Sequence, residues 1–210
     1  MTVKFILQIN ILKIKKNKFI KNKKIFLSNL NKEKKFDFII LIFWPFIVDK
    51  KYFKKFNNSI NFHPSFLPYH RGWYPHVHAK IKNEKWGVSL HQINEGIDTG
   101  DIWVQKKINI DLLLDNKQIY KIAKRQLFIL FKKNYINIIE KNKIKKKQII
   151  KTKFLKKKDV LIYDRLNLNS KFSFRYFVNL FLARQWGNKS YLKLKYKENY
   201  YRMYLKIKKI

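Results

Sequence analysis

Residues 36–43 read FDFIILIF, an apolar run that follows the polar NKEKK and stops at Trp44-Pro45. A run this short, without polar alternation, suits a strand buried on both faces, as in a parallel sheet. Working outward, Asp49 is a candidate cap for a short helix over 49–57, and residues 60–63 form a second strand stopped by Pro64. Pro75 opens a helix over 75–82, and residues 86–93 and 101–110 alternate as strands. Between 115 and 140, apolar residues at 119, 122, 123, 127, 130 and 131 have a helical period, with Asp115 as the cap. This β-α-β-α order predicts an open α/β sheet.

Upstream, MTVKFILQINILKIKKNK has no charged region before its apolar run and no small-residue cleavage site after it. It predicts a strand rather than a signal peptide. Downstream, residues 141–158 are mostly Lys and polar, the composition of a linker or an exposed excursion. A helix over 171–184 follows, then an aromatic and basic tail that predicts a β-hairpin turning near Lys197-Glu198-Asn199. The expected organisation is a core over 1–140, a linker over 141–158 and a small C-terminal module over 159–210. No repeat is visible.

Composition narrows the function classes. The chain has 210 residues, 46% of them hydrophobic, enough to bury a core. With no cysteine, disulfide frameworks and thiolate metal sites are excluded. No run approaches the roughly 20 apolar residues of a membrane span, and a cytoplasmic protein is expected. The net charge of +36 invites a nucleic-acid reading, but only six of the 49 basic residues are Arg. Phosphate and base recognition favours the planar fork of Arg, and Lys spread among Asn and Ile suits a solvated coat better. Nucleic acid is therefore a disfavoured partner. The aromatic tail offers a surface for a homodimer.

The chemistry-bearing residues are concentrated. All five histidines fall between 63 and 91, and four of the five glycines between 72 and 100. In INFHPSFLPYHRGWYP (60–75), Asn61 and His63 flank one residue of a strand and so share a face. That strand ends at Pro64, at the sheet edge where open α/β proteins bind ligands. Asp98 arrives 35 residues after His63 in the turn EGIDTGD. An amide, an imidazole and a carboxylate in one cleft form a proton-transfer and oxyanion-stabilising set, although spacing alone fits structural roles as well. His76 and His78 lie two apart on a helix and face different directions, unlike the i, i+4 pairs of zinc sites. No metal is expected, and His91 reads as structural.

INFHPSFLPYHRGWYP followed by WGVSLHQINEGIDTGDI resembles the signature of the folate-dependent formyltransferases, over roughly residues 36–140. The C-terminal NLFLARQWGNKSYLKLKYKENYYRMYLKI, and the wording FLPYHRGWYPHVH, are most similar to the sugar-nucleotide N-formyltransferases. The resemblance implies a Rossmann-like, mostly parallel sheet with a C-terminal helix and hairpin. The Asn-x-His motif arrives early and no glycine precedes Gly72, which leaves three readings open: a sheet that lacks edge elements, a misplaced N-terminal start, or a decaying gene.

By the same resemblance, Asn61, His63 and Asp98 are catalytic. Trp44 and Phe46 enclose the pterin, which Glu95, Gly96 and Ile97 contact mainly through backbone. Arg71, Tyr74 and Arg184 lie towards the substrate. The implied donor is 10-formyltetrahydrofolate and the acceptor the primary amine of a nucleotide-linked amino-sugar. Alternatives are a methionyl-tRNA formyltransferase and an inactive relative that only binds.

Overall fold

The computed structural model describes residues 23–32, 36–140, 144–208 and 210. The strand expected within 1–18 lies outside the described residues. The chain divides into two units, Met1–Lys34 and Lys35–Ile210. In the first, Lys23–Lys32 forms helix α1, a stretch to which the sequence reading assigned nothing.

In the second unit the apolar run is strand β1 (Phe36–Ile42), parallel to β2 (Phe56–His63), with Leu41 opposite Asn61. The Asp49 carboxylate accepts from the Lys51 amide at 3.0 Å, as a cap should, but residues Lys50–Lys55 close as a 3-10 helix. This turn feeds directly into β2, which starts four residues earlier than expected. Pairing with β1 overrides the poor strand propensity of Asn57 and Asn58.

Strands β3 (Gly87–His91) and β4 (Ile102–Lys107) complete a sheet in the order β1-β2-β3-β4. The open α/β sheet is the expected class. Its described pairings are mixed, parallel between β1 and β2 and antiparallel in the other two. The connection over 92–101 is too short for the crossover of about a dozen residues that parallel neighbours need.

Helix α2 spans Pro75–Lys82 with Pro at its first turn, and α3 spans Asn116–Ile139 behind a capping box of Asp115 and Gln118. Along α3, Ile119, Ala123, Leu127 and Phe131 are buried at intervals of four, one stripe facing the sheet. Against it lies Phe62 of β2, its ring 5.6 Å from that of Phe128 and 5.1 Å from that of Phe131. Burying a side chain of that size contributes roughly 2–3 kcal/mol. Because strand side chains alternate, committing Ile60 and Phe62 to this core turns Ser59, Asn61 and His63 to the opposite face.

The stretch expected as a linker runs back across the core. Lys146 and Ile102 exchange both backbone hydrogen bonds (2.8 and 2.9 Å), and the Leu155 amide donates to the Arg71 carbonyl at 2.7 Å. After a 3-10 helix over Lys157–Tyr163 come β5 (Arg165–Leu166), α4 (Phe174–Ala183), the short pair β6 (Gln185–Trp186) and β7 (Lys189–Ser190), and the hairpin β8 (Lys193–Tyr196) and β9 (Asn199–Arg202). Helix α4 packs Leu180, Phe181 and Ala183 with Val77 and Ile81 of α2. The hairpin turns at Lys197, whose φ is +52°. Among the described residues no helix is long and apolar enough to cross a membrane.

Candidate active site

Two strands and one turn bring the polar residues together. Asn61 and His63 stand on the polar face at the end of β2, and the antiparallel register sets His91 of β3 directly opposite Asn61. The turn between β3 and β4 supplies Asp98 with a left-handed backbone, φ +53°. The turn passes close to its own start: a Cβ on Gly100 would lie 2.0 Å from the Gln92 carbonyl oxygen, so only glycine fits there.

The side chains meet at the Asp98 carboxylate. His63 Nδ1 is 3.5 Å from Asp98 Oδ2, and the Gly72 amide donates to that oxygen at 2.9 Å. Asn61 Nδ2 donates to Asp98 Oδ1 at 3.3 Å and lies 3.1 Å from His91 Nε2, which is itself 3.4 Å from the same carboxylate oxygen. His91 Nδ1 lies 2.6 Å from the Gln92 carbonyl. A carbonyl can only accept, so Nδ1 carries the proton; the Asp98 carboxylate can only accept, so the Asn61 amide nitrogen faces it. That fixes which way the Asn61 amide points.

Electrostatics follow from this packing. Burial opposes the Asp98 charge, but His63, His91 and the Gly72 amide together outweigh it and hold the carboxyl well below the usual range. His63 moves down from 6.5, chiefly through burial; Asp98 pulls the other way, and His91 adds to the fall. At neutral pH the pair is thus a carboxylate beside a neutral imidazole. With Nδ1 turned towards Asp98, His63 Nε2 is buried and has no hydrogen-bond partner. A neutral imidazole with a free ring nitrogen is a general base.

His63, His91 and Asp98 also place one donor atom each within 4.8 Å of one another, a spacing that a metal ion uses. The lone pairs that would face an ion are instead approached by N–H groups of Asn61 and Gly72. The set therefore fits a hydrogen-bonded proton relay better than a coordination sphere. His76 and His78, as expected, face apart: one ring sits 5.4 Å from Tyr120, the other 5.4 Å from Tyr163.

The remaining expected site residues fall in different places. Ile97 and Gly96 share the Asp98 turn, where the Gly96 amide donates to Asn94 Oδ1 at 3.2 Å; Glu95 is exposed beside them. Trp44 and Phe46 follow β1 and stack edge to face, with centroids 5.2 Å apart. Tyr74, at the start of α2, packs beside Trp73 and on the core under α4. Arg71, expected to face substrate, is buried and donates to the carbonyls of Ile97, at 3.1 Å, and Thr152, with its Nε left unpartnered. Arg184 is likewise engaged, bidentately by Asp164 at 2.6 and 3.0 Å. His91, read from sequence as structural, lies inside the cluster. The signal for it was the register that places it opposite Asn61.

A model of the formyl transferase family matches residues 8–129. The chain belongs to the formyl transferase family. The dTDP-4-amino-4,6-dideoxyglucose formyltransferase of Mycobacterium bovis is 30% identical over 123 residues, 57% of this chain and 51% of that protein. The chain thus spans about half the length of this curated relative. The solved structure of a 4-N formyltransferase from Francisella tularensis superposes with a TM-score of 0.80 over 91% of this chain and 78% of its own, at 21% identity, which shows a shared fold. An N-formyltransferase from Helicobacter canadensis, solved with folinic acid and dTDP-3-aminofucose, is 30% identical, with a TM-score of 0.54 over 66% of this chain and 51% of its own.

Proposed function

We propose that this formyl transferase is a cytoplasmic enzyme that moves a formyl group from 10-formyltetrahydrofolate to the primary amine of a nucleotide-linked amino-sugar. The observation that carries the reading is the convergence of Asn61, His63 and Asp98 with His63 Nε2 unpartnered. The amino-sugar and folate named for the relatives supply the substrate class.

Neutral His63 accepts the proton that the amine loses as its nitrogen bonds to the formyl carbon. It returns a proton to N10 of the donor as the old carbon–nitrogen bond breaks, leaving tetrahydrofolate. Asp98 keeps the His63 Nδ1 proton in place and offsets the imidazolium charge. The oxygen that becomes negative needs a donor, which protonated His63 or the Asn61 amide provides. For Asn61 this means giving up its longer contact, the one at 3.3 Å to Asp98. The Asp98 turn and the Trp44–Phe46 pair take the pterin, and Tyr74 stands on the sugar side.

The test is incubation of the purified chain with 10-formyltetrahydrofolate and, separately, a dTDP-linked amino-sugar and methionyl initiator tRNA. A sugar product heavier by one formyl group supports the reading. Formylation of the tRNA alone replaces it with the methionyl-tRNA alternative. Folate binding with neither product identifies an inactive relative.

A further inference from the structure

The segment 144–155 was expected to be a linker, yet its backbone and side chains are tied to the site at three points. Lys146 pairs with Ile102, at the end of the Asp98 turn. Leu155 pairs with Gly72, whose amide holds the Asp98 carboxylate, and Thr152 accepts from Arg71, which also holds the Ile97 carbonyl. Between these anchors Gln148 Nε2 donates to the carbonyl of Asp98 at 3.1 Å and to that of Gly100 at 2.5 Å.

We infer that residues 146–155 are a strap that fixes Asp98 in register with His63, with Gln148 as the positioning residue. The Gln148 contact has only one workable polarity. Both partners are backbone carbonyls, so the amide nitrogen must face them, and Oε1 is left buried without a donor. A buried, unpaired acceptor is unfavourable, which is hard to explain if Gln148 merely filled space. What it secures is a turn whose central residue, Asp98, has a left-handed backbone, a conformation that costs a residue other than glycine some energy. The same turn is clamped from the other side by Arg71. Displacing a reacting group's partner by about 1 Å costs on the order of a hundredfold in rate, so a strap at this place bears on turnover rather than on substrate affinity.

The inference rests on the proposed reaction for its effect on turnover, but its structural half can be read without any activity. Gln148→Met keeps the side-chain volume and removes both donors; Gln148→Asn, one methylene shorter, reaches at most one carbonyl and replaces it if the first variant fails to fold. The probe is residue-resolved hydrogen exchange at the Gly72 amide, the group held by the Asp98 carboxylate, together with steady-state kinetics. The expected result is faster exchange at Gly72 by about tenfold or more, a fall in kcat of similar order, and KM for both substrates within about threefold of the parent. Unchanged exchange at Gly72 overturns the strap. Faster exchange with parental kcat overturns its part in turnover, as does a loss confined to KM. If the parent chain formylates nothing, the proposed reaction fails, while the exchange result still decides whether Gln148 holds Asp98.

Discussion

The backbone amide of Gly72 donates to Asp98 Oδ2 at 2.9 Å, joining the end of one motif to the centre of the other. Gly72 has φ +93°, and a Cβ there would lie 2.2 Å from the backbone oxygen of Leu155. Gly72→Ala therefore meets strain and a backbone clash together. The expected loss of stability is about 2–4 kcal/mol, with loss of the hydrogen bond to Asp98. Denaturant unfolding measures it, and a variant within about 0.5 kcal/mol of the parent would show that the strap moves aside freely.

His63 supplies the second prediction. Burial lowers its pKa below 6.5, Asp98 raises it, and His91 lowers it. The base must be neutral, so kcat/KM is flat at neutral pH and falls as pH drops through a value below 6.5. Asp98→Asn removes the raising contribution: its acid limb moves to still lower pH while its plateau drops. His63→Ala loses roughly 10²–10⁴-fold in rate with little change in Tm. A parental acid limb above pH 6.5, or near-normal turnover in His63→Ala, removes His63 from the role of base.

Much of this site is legible in the sequence. Asn61 and His63 share a face because strands alternate, and Pro64 announces the strand's end, so their juxtaposition follows from four residues. The apolar run at β1, the cap at Asp49 and the helix behind Asp115 are equally local. His91 was missed because its partner is set by the β2–β3 register, a long-range property that local alternation does not encode. The path of 144–155 was missed for a related reason. Its Lys-rich side chains read as solvent-facing, and most are, although Lys145 lies over the Trp103 ring; the anchoring is otherwise through backbone groups and one glutamine. The protein contacts of Arg71 and Arg184 were not legible, because a basic side chain in a motif gives no sign of which carbonyls or carboxylate it meets inside the fold.

One buried hydroxyl ties two points of the loop after His63. Ser89 Oγ accepts from the Leu67 amide at 3.1 Å and donates to the Ser65 carbonyl at 2.7 Å, and the residue is fully buried. Ser89→Ala leaves a donor and an acceptor unpaired in the interior, each costing about 1–3 kcal/mol. The expected outcome is a loss of about 2–4 kcal/mol in unfolding free energy, with Ser89→Thr losing less because it keeps the hydroxyl. Equal stability of Ser89→Ala and the parent would mean that water replaces the hydroxyl in this loop.

His76 makes stability depend on pH. Its ring is buried in α2 beside Tyr120, and burial takes its pKa down to about 4 from 6.5, only partly offset by Asn116, with His78 and His63 adding to the fall. Between those two values the unfolded chain binds the proton and the folded one does not. Stability therefore rises with pH across that window and is fully present above 6.5; it is lost as pH falls towards 4. The shift corresponds to roughly 3 kcal/mol for this one residue. His78, also lowered to about 4 by burial, works in the same direction. His76→Phe keeps an aromatic against Tyr120 but cannot titrate, so its Tm between pH 6.5 and 4 should fall less steeply than the parent's. Parallel Tm curves for the two proteins would show that His76 already carries its proton when folded.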